Sequence, residues 1–367
     1  MKRLLCIVGS MNPGGAETFL MKIYRTLDRA KYQMDFCVSI DAPGAYDDEI
    51  KSLGGRIIHT TPKSKGALKA FLSIRNIVKT NQYKYVLRVS QHSLSALELV
   101  AAKMGGARRV AYRSSNTQTG GGRINRILHK ICLPLSMFIP DAKFAPSTEA
   151  ADFMFGKNCI EKGRAKIVNN GLSIENYKYD ENARKALRSE LDLNGKIVVG
   201  HVGRLSRQKN HKFLLEVFYN IYSENRNAVL ILVGQGELKE QIVKQCKELG
   251  IYDNVKFLGV RSDIGKLLSA FDLFIFPSLF EGMPNTILEA QTSGLPCIIS
   301  DTITREAMVT KRVVMCSLSE SAAEWATKAM DLYNRNKDDR NKFSIEMKQS
   351  GYDINDCVRQ FQELIFQ

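Results

Sequence analysis

Short apolar runs alternate with amphipathic stretches along almost the whole chain, and this alternation narrows the possible folds more than any other feature. In the first half, Leu4 to Gly9, Met34 to Ile40, Arg56 to Thr60, Tyr85 to Ser90 and Arg109 to Arg113 read as strands. Between them lie helical patterns: AETFLMKIYRTL places Phe19, Ile23 and Leu27 on one face, and ALKAFLSIRNIVKT and LSALELVAAKM follow. The second half repeats the alternation with KIVVGHVGR, AVLILVG, VKFLGV, DLFIFP and PCIIS. Strand–helix alternation is the signature of a parallel sheet covered by helices on both faces. A length of 367 residues suits two such units. The expected fold is therefore α/β, with two doubly wound Rossmann-like domains at residues 1–178 and 179–350.

In such sheets chemistry collects at the C-terminal strand ends. The stretch FPSLFEGMPNTILEAQTSGLPCIISD, from Phe276 to Asp301, reads as strand, loop and helix. Pro284 is suited to a first helical turn and Gly294 to a helix end, which predicts a helix from Pro284 to Ser293. The amides of Met283, Asn285 and Thr286 then form an anion site. Glu281 stands at its mouth, and Glu289 lies roughly 7 Å beyond Pro284 along the helix. A Glu pair by itself also fits a plainer reading, with Glu281 complementing the helix dipole and Glu289 solvated. Upstream, HVGRLSRQKN brings Arg204 and Lys209 to a strand end, a fork and a point charge able to clamp a diphosphate. A basic solvated turn is the plainer alternative there.

After the first strand, Asn12, Pro13, Gly14 and Gly15 make a tight turn opening a helix. The turn is neither G-x-G-x-x-G nor a P-loop, which disfavours a nicotinamide cofactor. No D-x-D triplet provides for a carboxylate-held Mg²⁺. The eight cysteines show no C-x-x-C spacing, so they read as reduced thiols of a cytosolic protein, with zinc disfavoured. No run reaches a membrane span of about 18 apolar residues. The N-terminal apolar stretch, Leu4 to Val8, is too short for an export signal and reads as a buried strand.

GGAE at 14–17, NNG at 169–171, GRLSRQKN at 203–210, GQGELKE at 234–240 and EGMPNTILEAQTSGLPCIISD share order and spacing with one family. Over nearly its whole length the chain resembles the retaining glycosyltransferases of family 4, which have the GT-B fold, and within them the enzymes of bacterial capsule and exopolysaccharide synthesis. The resemblance implies two domains facing a cleft, with a final helix, here within 351–367, crossing back to the first domain. It implies a hexose or N-acetylhexosamine moved from a nucleotide sugar, UDP-linked above all, to a lipid-diphosphate-linked or oligosaccharide acceptor. Glu289 would hold the ribose, while Glu281 and the backbone of Gly282, Met283, Pro284 and Asn285, with Thr286 beside them, would hold the sugar. Arg204 and Lys209, beside Gly203, would stabilise the diphosphate, with Gly14 and Gly15 closing over it. Main chain near Val260 and Arg261 would meet the base. His92 stands where the family shows His-x-His, but the chain reads Ser90-Gln91-His92-Ser93; it is a candidate donor-sugar or acceptor contact, against service as a strand-end histidine. The similar enzymes lack a carboxylate nucleophile, so front-face attack is the expected route, with no metal or other cofactor.

The net charge of +15 lies wholly in the first half: 28 lysines and arginines against 13 acids up to Lys178, then 25 of each. In GGRINRILHKICL, Ile124, Ile127, Leu128 and Ile131 recur at helical spacing, interleaved with Arg123, Arg126 and Lys130. That pattern fits a helix lying on an anionic membrane surface, the cytoplasmic face of the cell membrane on this reading; a helix with its apolar side in the core is the alternative. Nucleic acid would also explain the charge, yet no aromatic-rich basic strand or recognition helix appears. A nucleotide-sugar epimerase of the same architecture, and a non-enzymatic relative, are the other readings. In the tail, Val358, Phe361, Leu364 and Ile365 recur at helical spacing, as a returning helix requires.

Overall fold

The computed structural model describes residues 1–115, 123–281, 283–335 and 339–367. The chain divides into two compact units, the first comprising Met1–Gly171 with Ile354–Gln367, the second Leu172–Asp353. The first crossing therefore falls at Gly171/Leu172 rather than at 178/179. Leu172 and Ile174 pack with Leu288, Met347 and Tyr352, which ties this segment to the second unit. The two crossings are bonded side by side: Leu172 N–H donates to Tyr352 O at 2.8 Å, and Leu172 bridges Asp353.

The first unit is built on seven parallel strands: β1 (Lys2–Ile7), β2 (Tyr32–Val38), β3 (Ile57–His59), β4 (Tyr85–Ser90), β5 (Arg109–Ser114), β6 (Ala142–Ala145) and β7 (Lys166–Ile167). Their order is β3-β2-β1-β4-β5-β6-β7. The second has six: β8 (Ile197–Val202), β9 (Ala228–Val233), β10 (Val255–Gly259), β11 (Leu273–Phe276), β12 (Cys297–Ser300) and β13 (Val313–Cys316), ordered β10-β9-β8-β11-β12-β13. Every strand pairing in both sheets is parallel, so helices must cover both faces, and the central strands are largely buried. All six residues of β9 are buried. Each sheet separates two apolar clusters, one per face.

The apolar runs predicted as strands all form strands. The pattern missed β6, β7 and β13, which are short and end-most or nearly so in their sheets, giving four or fewer residues of signal each. The helix Gly15–Thr26 buries Phe19 and Ile23, with Leu27 closing its end. The final helix, Ile354–Phe366, joins the first unit's core as expected. Phe361 meets the rings of Phe19 and Phe144, Phe366 lies 4.6 Å from the ring of Tyr32, and Arg109 Nε donates to Leu364 O at 2.9 Å.

Buried and half-buried arginines perform local work in the second unit. The helix Ile264–Ala270 ends with carbonyls lacking intrahelical partners, and a helix end buried without partners is costly. Arg184, Arg188 and Arg340 donate to the carbonyls of Leu268 through Phe271, and Asp272 pairs with Arg184 and Arg188. Burial pulls the Arg340 guanidinium down to about 9.

Candidate active site

Where strand order reverses in a doubly wound sheet, successive loops leave in opposite directions and open a crevice at the C-terminal strand ends. In the second unit the reversal lies between β8 and β11. The loop after β8 carries Gly203, Arg204 and Lys209, and the loop after β11 carries Glu281 and the start of the helix Asn285–Thr292. In the first unit it lies between β1 and β4, with Gly14 and Gly15 following β1 and His92 following β4.

The β8 loop leaves the sheet through Gly203, whose N–H donates to Val233 O at 2.9 Å. Arg204 is exposed, and among the described residues its side chain has no hydrogen-bond or ion-pair partner. The chain then makes a short 3-10 turn, Arg207–Lys209, and reverses through Asn210 in the left-handed region (φ +53°) into the helix His211–Glu224. This reversal folds Lys209 back across Gly203. A Cβ at Gly203 would stand 3.2 Å from both Lys209 Cε and His201 Nε2, so a side chain there would press on both.

The β11 loop is fastened to the β8 loop. Leu279 N–H donates to Gln208 O at 2.8 Å, and Gln208 Nε2 to Phe280 O at 2.9 Å. Ser300 Oγ and Thr302 Oγ1 both donate to Ser278 O, at 2.6 and 2.8 Å, from the end of β12. These bonds bring Lys209 and Glu281 together. Lys209 Nζ lies 2.5 Å from Glu281 Oε1 and 4.4 Å from the centre of the Phe276 ring, with the two side chains only 15% and 12% exposed. Sequence reading assigned the two residues to different parts of a ligand and did not see the pair. It rests on the adjacency of β8 and β11, a long-range fact that the intervening residues do not encode locally.

The helix Asn285–Thr292 begins one residue later and ends one earlier than expected. Pro284 serves as N-cap, so no side chain there can accept from the first-turn amides. Gly294 closes the other end at φ +61°, as its position in the sequence required, with Gly294 N–H to Gln291 O at 2.8 Å and Leu295 N–H to Ala290 O at 3.0 Å. Asn285 Oδ1 is buried with no hydrogen-bond partner among the described residues. Met283, Thr286 and Glu289 are half-buried. Gly282 lies outside the described residues.

Beside this crevice, the ends of β8, β9 and β10 enclose a cavity of about 620 Å³ lined by Arg204, Gly234, Gly236, Lys239, Phe257 and Gly259. Two glycines make its floor possible. A Cβ at Gly234, which sits at φ +136°, would fall 2.1 Å from Gly203 O, and one at Gly236 would fall 2.3 Å from Leu205 O. Val260, 69% exposed, follows the cavity wall, and the Arg261 guanidinium is held by both oxygens of Asp263 at 2.8 and 2.7 Å. The motif GQGELKE contains Gly234 and Gly236, but their close approach to Gly203 O and Leu205 O, and the part of Phe257, follow from the adjacency of β8, β9 and β10 and not from the local sequence.

Two buried histidines lie under Lys209. His201 Nδ1 donates to Ile275 O at 2.9 Å, and the rings of His201 and His211 meet edge-on at 4.9 Å. Burial holds His201 well below the ordinary imidazole range and takes His211 down to about 4, with the Lys209 charge a smaller cause in each.

In the first unit Gly14 is the N-cap of the helix Gly15–Thr26 with extended backbone. Glu17 folds back over it: a Cβ at Gly14 would stand 2.5 Å from Glu17 Oε2, whereas one at Gly15 would meet nothing within 4 Å. Burial raises the Glu17 carboxyl. Glu17 belongs to the GGAE motif, in which the sequence draws attention to the glycines. His92 is fully engaged. Its Nδ1 accepts from Leu94 N–H at 3.1 Å, which leaves Nε2 as the donor to Asn125 O at 2.9 Å. It stands at the end of β4 and fastens the helix Arg123–Phe138 through these bonds. His129 repeats the arrangement, accepting from Ser93 N–H at 3.2 Å while Nε2 meets Phe153 O at 3.1 Å.

That helix buries only His129 and Ser136 and contains no acidic residue. Ile124, Ile127, Leu128 and Ile131 are exposed, as are Arg123, Arg126 and Lys130. The alternative that placed its isoleucines in the core is therefore overturned. No helix of the described residues is long and apolar enough to cross a membrane, and they contain no cluster of three or more His, Cys, Asp or Glu able to hold a metal ion.

Two parallel doubly wound units with a returning final helix make the architecture of the GT-B fold. Residues 183–350 match the model of the Glycosyl transferases group 1 family. The chain is 32% identical over 362 residues to the putative glycosyltransferase EpsF of Bacillus subtilis (strain 168), covering 97% of this chain and 94% of that one. The chain belongs to this glycosyltransferase family. It is 34% identical over 146 residues, 39% of this chain and 38% of the other, to UDP-Gal:alpha-D-GlcNAc-diphosphoundecaprenol alpha-1,3-galactosyltransferase of Escherichia coli. In structure it is similar to Anabaena Alr3699/HepE in complex with UDP, with a TM-score of 0.80 at 22% identity over 99% of both chains.

Proposed function

We propose that this glycosyltransferase moves a hexose or N-acetylhexosamine from a UDP sugar, with retention of configuration and without a metal, to a lipid-diphosphate-linked acceptor in bacterial surface polysaccharide synthesis. The observation that carries the reading is the junction of the β8 and β11 loops, where Arg204, Lys209 and the uncapped amides before Ile287 gather at one switch point. Breaking a sugar–phosphate bond leaves charge on a diphosphate, and preorganised cations and amides stabilise that charge. The adjoining cavity, floored by Gly234 and Gly236, has room for a nucleoside beside the diphosphate. Glu289 faces the ribose in this reading, and Glu281 the sugar.

Front-face attack fits these groups. The bond from the anomeric carbon to the phosphate oxygen breaks, the acceptor oxygen bonds to the same face, and its proton passes to the departing phosphate. Arg204 and Lys209 hold the phosphate in place. The name of the Escherichia coli relative, which specifies a UDP sugar and a diphosphoundecaprenol acceptor, supports both substrate classes. The exposed isoleucines and cations of the helix Arg123–Phe138 fit the anionic membrane surface in which such an acceptor resides.

The test is transfer from UDP sugars to a synthetic polyprenyl-diphosphate glycan in EDTA, with the product's anomeric configuration read by proton NMR. Transfer that survives EDTA and keeps the donor's configuration is expected. An inverted product, or a strict requirement for a divalent cation, would reject that part of the reading.

A further inference from the structure

The two cations of the β8 loop are not equivalent. Arg204 is exposed and without a partner among the described residues, whereas Lys209 is held by a carboxylate 2.5 Å away and by the face of Phe276 at 4.4 Å. A buried ammonium with a carboxylate at this distance presents little net charge to an incoming anion. A diphosphate that binds Lys209 must therefore compete with Glu281 for it. Once displaced, Glu281 is a largely buried carboxylate needing new donors, because a buried charge left unpaired is costly. A nucleotide sugar brings donors of the required kind, the sugar hydroxyls, to the side of the diphosphate where Glu281 stands. A free nucleoside diphosphate brings none.

We infer that Glu281 is an internal counter-anion for Lys209 that makes the donor site select nucleotide sugar over nucleoside diphosphate, and so promotes release of the spent nucleotide. This rests on the donor-site reading above. Lys209 changes partner during each turnover, from carboxylate to diphosphate and back, while Arg204 stays available throughout. The bonds that fasten Leu279 and Phe280 to Gln208 keep both loops in register while the partner changes.

The test compares dissociation constants of UDP, UDP-glucose and UDP-N-acetylglucosamine for the wild-type chain, Glu281→Gln, Lys209→Met and the double variant, by calorimetry. Replacing Glu281 by its neutral isostere lets Lys209 meet the diphosphate without first giving up an ion pair, and is expected to tighten UDP by about tenfold. The UDP sugars should gain less or lose affinity, so the preference for sugar over UDP falls. In the Lys209→Met background the gain from Glu281→Gln should shrink, since the ammonium being freed is gone. An equal change in all three ligands, or a UDP gain that persists without Lys209, overturns the counter-anion role. Glu281→Asp, which keeps the charge but shortens its reach to Lys209, gives the same sign of change if Glu281→Gln does not fold. A wild-type chain that binds neither UDP nor a UDP sugar rejects the donor-site reading itself, and this inference with it.

Discussion

At the scale of single residues, Arg204 and the buried histidines carry distinct expectations. Arg204 is the open cation of the site, so Arg204→Ala should lower kcat by about 10²–10³, the loss seen when one preorganised donor to a developing charge is removed. The melting temperature should hold, because an exposed side chain with no partner among the described residues is lost; steady-state kinetics beside a thermal melt checks both. His201 and His211 are neutral in the folded chain and ordinary in the unfolded one. As pH falls below about 6.5 the unfolded chain takes up protons that the folded chain refuses until about pH 4, the value for His211. Stability should therefore fall through this window by up to about 1.4 kcal/mol per pH unit for each histidine. Urea unfolding at several pH values measures the slope, and His211→Gln should flatten it. An unchanged slope in that variant would mean that other groups dominate acid sensitivity. The placement of Arg204, Lys209 and Glu281 in loops at strand ends was legible, because the apolar runs that become β8 and β11 stop just before them. The engagement of His92 was not, since its partner Asn125 is 33 residues away and bonds through backbone.

At the scale of elements, the helix Arg123–Phe138 and the arginine-capped helix Ile264–Ala270 invite tests of opposite kinds. The first displays apolar residues that its own unit leaves exposed. Ile127→Glu with Ile131→Glu should abolish co-sedimentation with vesicles containing anionic lipid, each large apolar side chain being worth about 1.5–3 kcal/mol on burial. The fold should be unaffected, since both positions are exposed. Neutralising Arg123, Arg126 and Lys130 should weaken the same binding by about 1 kcal/mol per cation, with strong salt dependence. Retained vesicle binding in both variants would remove this helix from the account. The second helix depends on Arg340, whose guanidinium bonds the carbonyls of Leu268, Phe271 and Ser293. Arg340→Met should cost about 3 kcal/mol or more, as several buried carbonyls lose charged donors together. Denaturant unfolding gives the figure, and a loss below about 1 kcal/mol would mean that water replaces the arginine. Apolar spacing revealed where helices lie but not which carbonyls they leave uncapped, because the capping arginines come from Arg184, Arg188 and Arg340, far from residue 270 in sequence.

At the scale of the whole molecule, periodicity was enough to identify two parallel sheets, because strands buried on both faces must read as continuous apolar runs. It was not enough to order the strands. The reversal points beside β1 and β8 create both crevices, yet they follow from which strand lies next to which, a consequence of long-range packing. The short strands β6, β7 and β13 escaped for want of length. The first crossing was placed late because Leu172–Tyr177 carries no break in composition; its allegiance is set by packing on Leu288 and Tyr352. The returning helix was legible because four apolar residues at helical spacing need a core, and Phe19 and Phe144 provide it.

The central claim is that the β8–β11 crevice of the second unit holds the diphosphate of a nucleotide sugar. It is tested most directly by calorimetric titration of the wild-type chain, Arg204→Ala and Glu289→Ala with UDP-, GDP- and ADP-sugars in EDTA. The account predicts that one nucleotide class, UDP, binds the wild-type chain and that each substitution weakens it at least about tenfold, the loss expected on removing a charged hydrogen-bond partner. Binding that is equal in all three proteins, or confined to another nucleotide, would contradict it.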